Sequence, residues 1–184
     1  MKIVISIVLY CLFYGHSYAQ NRVVADLKVQ GNKKLKTEFV KKIALIRSGV
    51  ALDSTVIEAD IKLLKRLPSV AHAYYQVFQA QDNQYNVFYN IVENFTIIPS
   101  INIYTTNDDE FAYRLGIYEF NMFGQNIGFG GFYQNDIYGS YAVNFRAPNL
   151  FGRQFGLAVN YQDLTTLEPV FFDDTTANYN YNNE

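Results

Sequence analysis

The hydrophobic and polar positions in the first half of the chain follow a strand period, then a helical period, then a strand period again. Residues 24–30 alternate, which predicts a half-buried strand. Apolar residues at helical spacing then predict two helices, over residues 37–47 and from Asp53 or Thr55 to Pro68. Residues 71–79 and 85–92 alternate, and the short turn between them predicts an antiparallel hairpin. The order β-α-α-β-β predicts a three-stranded sheet with both helices on one face.

From residue 97 onward the chain keeps a period of two. Four segments alternate, namely 111–118, 127–134, 140–146 and 154–162, and a further strand is expected over about 97–104. One face of these segments is apolar and aromatic, and the other is small or polar. Segments of about nine or ten residues have the length that a tilted strand needs to cross hydrocarbon. The pattern predicts the first strands of an antiparallel transmembrane β-barrel, and a soluble sandwich with the aromatic face as its core is the alternative.

Composition and charge sharpen this division. The chain has 184 residues, 49% of them hydrophobic, and its 16 Tyr and 15 Phe are accompanied by no Trp. This composition and the net charge of −2 argue against a disordered chain and against a nucleic-acid partner. Residues 21–98 carry 11 basic and 7 acidic side chains (+4), whereas residues 99–184 carry 3 and 10 (−7). Such a shift predicts two differently solvated parts.

The first nineteen residues have the layout of a secretory signal peptide. Lys2 supplies a positive charge, residues 3–14 are apolar, and Ser17 and Ala19 provide the small residues of a cleavage site. The apolar run is too short to cross a bilayer; a short anchor or a buried helix is the alternative. We expect cleavage after Ala19, which removes Cys11 and leaves an exported chain without cysteine.

The second half contains an internal repeat. Residues 121–129 match residues 149–157 at an offset of 28, which is the length of one hairpin. Both copies are therefore expected at the same end of the barrel, as periplasmic turns, with residues 105–110, 136–138 and 164–169 as loops at the other end. The predicted turn motif consists of Asn121, Phe123, Gly124, Asn149, Leu150, Phe151, Gly152 and Arg153.

The first half resembles a POTRA (polypeptide-transport-associated) domain. The resemblance is carried by Val29–Asn32, Gly49, Asp60–Leu64, Leu67–Val70 and Val92–Glu93. In that family the second strand, here residues 71–79, lies at the sheet edge, where unpaired backbone groups can recruit an extended client strand. The resemblance therefore implies client pairing at Ala73, Tyr75, Val77 and Gln79.

The second half resembles the outer-membrane β-barrel assembly family that includes BamA and TamA, and the turn Pro148–Arg153 is its most specific match. The resemblance implies an outer-membrane protein of a Gram-negative bacterium that captures unfolded client proteins by strand pairing and inserts them into the bilayer. Ile101 and Ile103 of the first barrel strand would pair with the client. Unfolded outer-membrane proteins, the lipid bilayer, and periplasmic chaperones or accessory assembly proteins are the implied partners. A two-partner-secretion translocator and a passive porin are the alternatives.

These inferences predict a signal peptide over residues 1–19, a POTRA domain over 21–96 and the N-terminal part of a barrel over 97–184. About six strands are expected where a single-chain barrel needs about eight or more, so we expect a fragment of a longer protein or an oligomeric barrel. His72 is the only histidine after residue 19, and no phosphate-binding or nucleophile motif occurs. We therefore expect no enzyme activity, no metal site and no cofactor.

Overall fold

The computed structural model describes residues 22–106, 109–172 and 175–183, and this part of the chain forms two helices and nine strands. The elements are β1 (Val23–Gln30), α1 (Thr37–Ile43), α2 (Ser54–Leu64), β2 (Val70–Gln81), β3 (Gln84–Glu93), β4 (Ile97–Thr105), β5 (Phe111–Met122), β6 (Ile127–Asn135), β7 (Gly139–Ala147), β8 (Leu157–Phe172) and β9 (Thr175–Asn183). The predicted signal peptide lies outside the described residues. No helix in the described ranges is both long enough and apolar enough to span a membrane.

The N-terminal unit, residues 22–94, contains a sheet in the order β1-β3-β2. β1 pairs with β3 in parallel, and β2 pairs with β3 antiparallel. The inward residues of the three strands, among them Val24, Ala73 and Tyr89, are buried together with the apolar stripes of both helices. This cluster stabilises the unit because it removes the apolar side of every element from water.

The helices begin and end where side chains satisfy the backbone. Asp53 precedes α2 and its carboxylate accepts a hydrogen bond from the Thr55 N–H at 2.8 Å, so Asp53 and not Thr55 is the N-cap. α1 ends at Ile43, earlier than the helical spacing predicted. The N–H groups of Leu45 and Ile46 donate to the Asp60 carboxylate instead of continuing the helix.

The second sheet is antiparallel and has the order β4-β5-β6-β7-β8-β9, so each strand pairs with its neighbours in the sequence. The register puts Ile101, Leu115, Tyr133 and Tyr141 in one row across four strands. That row belongs to an apolar face of the sheet. Twelve large side chains of this face are each 40 to 71% exposed, namely Ile101, Ile103, Phe111, Leu115, Ile117, Phe129, Tyr133, Tyr141, Val143, Leu157, Val159 and Tyr161. The other face is mainly small or polar; Ser100, Gly116, Ala142 and Asn144 lie on it, together with the rings of Tyr118 and Phe132.

The aromatic residues of this sheet are not a protein core. Within the described part of the chain, the apolar core cluster lies entirely between Val24 and Ile91. Soluble monomers rarely expose apolar patches as extended as the one formed by twelve large side chains here. The soluble sandwich considered from the sequence would bury that face, and the structure leaves it open.

The predicted fold class, an α+β POTRA domain followed by the first strands of a barrel, is wrong. The chain is mostly β-sheet in two separate sheets, and its described helices span only 7 and 11 residues. The prediction relied on short motifs such as Gly31 after a strand and Pro68 after a helix. These motifs specify local turns, which many folds share, and they do not determine fold class.

Two further predictions at the C-terminal end are also wrong. Residues 164–169 were expected as a loop, but β8 continues through them to Phe172, and β9 pairs with it from Thr175 to Asn183. The Asn-rich composition of β9 suggested an irregular tail. The β8–β9 backbone ladder outweighs the low strand propensity of Asn, as tertiary pairing often does. Residues 107 and 108 of the predicted loop 105–110 lie outside the described ranges.

Candidate functional site

The first part of the candidate site is the outer edge of β2. The order β1-β3-β2 places both β1 and β2 at edges. The edge of β1 is covered, because Val24 N–H donates to the Val50 carbonyl at 2.9 Å and Gly49 N–H donates to the Val24 carbonyl at 2.8 Å. In the described residues, one backbone hydrogen bond lies at the outer edge of β2, from the Val70 N–H at its start to the Leu67 carbonyl at 2.9 Å, and none follows along the rest of the strand. β2 is therefore the open edge of the N-terminal unit.

The four residues predicted to pair with a client on β2 differ in exposure. Ala73 is fully buried, Tyr75 and Val77 are partly buried against the core, and Gln79 is exposed. The inward side chains are occupied by the core of the unit. A strand added at this edge would therefore be bound mainly through its backbone, with little selection by these side chains.

The second part of the site is the outer edge of β4. β4 pairs only with β5 within the described part of the chain. Ile101 and Ile103 lie on its apolar face and are 71% and 62% exposed. Pro99 lies on the same strand, and proline, which lacks an N–H, is tolerated on edge strands. The structure thus places the two predicted pairing segments at open edges of different sheets.

The third part is a junction where the two repeated turns contact the N-terminal unit. In the β5–β6 turn, the Gly124 carbonyl accepts a hydrogen bond from the Lys36 N–H at 2.9 Å, directly before α1. Gly124 has a φ of +68°, and a Cβ at this position would overlap the Lys34 carbonyl oxygen. Only glycine fits this close backbone approach.

The β7–β8 turn contacts the other end of α1. Lys42 Nζ donates to the Leu150 carbonyl at 2.9 Å and lies 3.4 Å from the Asn149 carbonyl oxygen. In return, the Arg153 guanidinium donates to the Ile43 carbonyl at 3.4 Å and to the Asp60 carboxylate at 2.8 Å. The two turns are joined to each other, since Asn126 Nδ2 donates to Asn149 Oδ1 at 3.2 Å.

Asp60 is the centre of the junction, and its side chain is 1% exposed. Its carboxylate accepts hydrogen bonds from the Leu45 N–H at 2.7 Å and the Ile46 N–H at 3.0 Å. The Tyr89 hydroxyl donates at 2.9 Å. Burial, reinforced by the negative charge and the hydrogen bond of Asp60, raises the pKa of the Tyr89 phenol well above its ordinary value, so Tyr89 remains a neutral donor.

Within the described ranges, the other predicted turn residues make no hydrogen bond to the N-terminal unit. Asn121 is buried and its Oδ1 accepts from the Asn126 N–H at 3.0 Å, which shapes the β5–β6 turn. Phe123 and Phe151 are exposed at equivalent positions of the two turns, as interfacial aromatic side chains would be. Gly152 has a positive φ, and a Cβ there would meet open space.

The sequence reasoning missed the role of Asp60, Tyr89 and Lys42 in this junction. Asp60 was placed in a helix motif without a function. A usable signal existed, because Asp60 lies between Ile57, Ile61 and Leu64 on the apolar stripe of α2, where an acid must find partners. Its partner Arg153 is 93 residues away, so the pair itself could not be inferred.

The described residues contain no group of three or more His, Cys, Asp or Glu side chains that could hold a metal ion. A cavity of about 760 Å³ lies between the end of α2 and the inner face of the second sheet, and Arg66 and Arg146 are among its lining residues. What the geometry offers is backbone pairing at two edges and a polar junction between two sheets.

A sequentially paired antiparallel sheet with one apolar face and one mainly small or polar face has the alternation that the wall of a transmembrane β-barrel shows. The fold is similar to that of "The crystal structure of BamA from Haemophilus ducreyi lacking POTRA domains 1-3", with a TM-score of 0.63 and 17% identity over 78% of this chain and 28% of that chain. It is also similar to that of CdiB from Acinetobacter baumannii, with a TM-score of 0.56 and 16% identity over 82% of this chain and 30% of that chain. The resemblance to the BamA/TamA-like barrel family is thus confirmed at the level of fold.

No family model matches this chain, and no curated protein matches it. The chain spans less than a third of the length of either solved structure.

Proposed function

We propose that this protein acts in the outer membrane of a Gram-negative bacterium as a non-enzymatic factor that inserts or translocates other proteins. The six-stranded sheet would face lipid, and the N-terminal unit would lie in the periplasm. Unfolded outer-membrane proteins and the bilayer would be its partners, with periplasmic chaperones or accessory assembly proteins as further ones. The fold shared with BamA and CdiB supports this proposal.

One observation carries the proposal: β4 combines an apolar, exposed face with an unpaired edge. Backbone N–H and C=O groups that lack partners in hydrocarbon cost several kcal/mol each. A client strand that pairs with β4 satisfies these groups on both strands as it leaves water. Pairing can thus favour insertion without a nucleotide or a cofactor.

The two edges suggest an order of events. β2 of the N-terminal unit would hold an extended client segment in the periplasm, mainly through its backbone. β4 would then accept a strand of the client at the depth of the membrane. The two steps use the same chemistry, which is the addition of a strand to an open edge.

Cross-linking tests this mechanism. Single cysteines would be introduced as Ile101→Cys in β4 and, as the control, Val143→Cys in β7, which lies on the same apolar face but in an interior strand. A client with one cysteine in its terminal strand is expected to form a disulfide with the first variant and not with the second. Equal cross-linking of both variants, or none with Ile101→Cys, would contradict strand templating.

A translocator is the second candidate, and the fold similarity to CdiB favours it. A client that passes through the barrel would meet the polar face, so Asn144→Cys, next to Val143 but on the opposite face, is the informative variant. Disulfides at Asn144→Cys alone would indicate translocation, whereas disulfides at Ile101→Cys indicate insertion. Ion conductance with no client disulfide at either position would indicate a passive porin.

A further inference from the structure

The N-terminal unit and the second sheet are joined by polar contacts around one short helix. Lys36 N–H contacts the β5–β6 turn before α1, and Lys42 Nζ contacts the β7–β8 turn near its end. Arg153 of the β7–β8 turn reaches past α1 to Asp60 on α2. Three separate points of contact are the minimum that fixes the orientation of one rigid body on another.

Among these three contacts, only the Arg153–Asp60 contact is an ion pair with a buried member. The Asp60 side chain is 1% exposed and that of Arg153 is 29% exposed. A carboxylate has about four acceptor positions. The N-terminal unit itself supplies three donors, from Leu45, Ile46 and Tyr89, and Arg153 supplies the fourth.

This division of donors has a structural consequence. The three internal hydrogen bonds shape the segment after α1 without any contribution from the second sheet. They do not neutralise the charge of Asp60, and an uncompensated buried charge is strongly unfavourable. Within the described residues the ion pair of Asp60 is the one with Arg153, and it forms where the β7–β8 turn lies against α1.

We propose that Arg153 is the positioning residue that sets the orientation of the N-terminal unit relative to the six-stranded sheet. Its insertion beside Asp60 holds the open edge of β2 in a defined direction with respect to the open edge of β4. The proposal deepens the function proposed above and rests on it for its effect on client transfer. Its structural part, the fixed orientation, can be measured without any client.

Distance measurements between two spin labels test the orientation. Asp82→Cys in the β2–β3 turn and Glu110→Cys in the β4–β5 loop would carry the labels, because both residues are exposed and far from the junction in sequence. The chain has one native cysteine, Cys11, and it lies in the predicted signal peptide, so labelling would be specific. The full protein would be reconstituted in lipid vesicles.

Arg153→Ala is expected to broaden the distribution of distances at least twofold. Arg146→Ala is the matched control, since the Arg146 side chain makes no hydrogen bond or ion pair within the described ranges, and it is expected to leave the distribution unchanged. Asp60→Asn should broaden the distribution in the same way, and the double variant should be no broader than either single variant, because both remove one interaction. An Arg153→Ala distribution as narrow as that of the unsubstituted protein would overturn the proposal.

Client transfer provides the second measurement. Arg153→Ala should slow the formation of the client disulfide at Ile101→Cys severalfold, whereas Arg146→Ala should not. Broadened distances with an unchanged rate of disulfide formation would overturn the positioning role in transfer. Absence of the disulfide in the protein with both arginines intact would instead contradict the proposed function, so the two failures are distinguishable. Unchanged circular dichroism of Arg153→Ala would show that the fold is retained.

Discussion

At the scale of single residues, one partly exposed glutamate connects the loop after β1 to the end of β3. The Glu93 carboxylate accepts hydrogen bonds from the N–H groups of Lys33, Lys34 and Leu35 at 2.6, 2.9 and 2.7 Å. The chain can turn toward Glu93 because Gly31 has a φ of +79°, where a Cβ would overlap the Ile91 carbonyl oxygen. This loop leads directly into Lys36, which contacts the β5–β6 turn, so Glu93 supports one side of the junction.

Acidification should loosen this loop. Burial alone would raise the pKa of Glu93, but the hydrogen bonds from Lys34, Leu35 and Lys33 and the charge of Lys34 outweigh it and lower the pKa below its ordinary value. A lowered pKa in the folded state contributes stability above the unfolded-state pKa of about 4.3, and that contribution is lost as the pH falls through the folded-state value. Because Glu93 is partly exposed, we expect a loss of about 1 kcal/mol.

Amide hydrogen exchange of Lys34 and Leu35 measures this effect, after correction for the intrinsic pH dependence of exchange. Protection in the unsubstituted protein should begin to fall as the pH drops below the ordinary glutamate pKa of about 4.3, and should be lost as the pH passes the lowered folded-state pKa. In Glu93→Gln, the protection of these amides should already be lower at neutral pH, and it should change little as the pH falls. Glu38→Gln, which removes an exposed acid in the first turn of α1, serves as the control and should behave like the unsubstituted protein. An unchanged pH dependence in Glu93→Gln would refute the prediction.

At the scale of elements, the sequence patterns located most strands well, and the failures have a common cause. β4 to β7 lie within about three residues of their predicted bounds because alternation is a local signal. α1 ends earlier than predicted because the N–H groups of Leu45 and Ile46 donate hydrogen bonds to Asp60, which is distant in the sequence. β9 was missed because only its pairing with β8 makes it a strand. The edges were predictable from strand order, whereas the Arg153–Asp60 junction depends on tertiary contact.

The two faces of β7 should respond differently to charge. Val143 lies on the exposed apolar face, and Asn144, its neighbour, lies on the polar face of the same strand. If the apolar face contacts lipid, Val143→Lys should destabilise the folded protein by about 2–4 kcal/mol near the bilayer midplane, because lysine must be desolvated. Asn144→Lys should cost much less, since the polar face would line the barrel interior in that arrangement.

Urea unfolding in lipid vesicles provides the comparison between these two lysine variants. Both carry the same added charge at adjacent positions, so a difference in the free energy of unfolding reports the environment of each face. The prediction fails if both variants lose the same stability, or if Asn144→Lys loses more. That second result would mean that the polar face, and not the apolar one, is packed away from water.

At the scale of the whole molecule, the two ends of the second sheet differ in whether they contact the N-terminal unit. The β5–β6 and β7–β8 turns contact the N-terminal unit, and the β4–β5 and β6–β7 connections lie at the other ends of the same strands. Residues 99–184 have a net charge of −7 and residues 21–98 a net charge of +4 (3 − 10 and 11 − 7). If the apolar face of the sheet contacts lipid, as proposed, the two ends of its strands would lie in the two aqueous phases.

This arrangement predicts that the two ends lie on opposite sides of the outer membrane. Glu110→Cys at the β4–β5 connection should react with a membrane-impermeant maleimide on intact cells. Asp82→Cys in the N-terminal unit should react only after the outer membrane is permeabilised, because the unit is fixed to the opposite ends of the strands. Both residues are exposed in the structure, so a difference in labelling would reflect the barrier rather than burial. Equal labelling of both cysteines on intact cells would mean that the sheet does not span the membrane, and the apolar face would then require another partner.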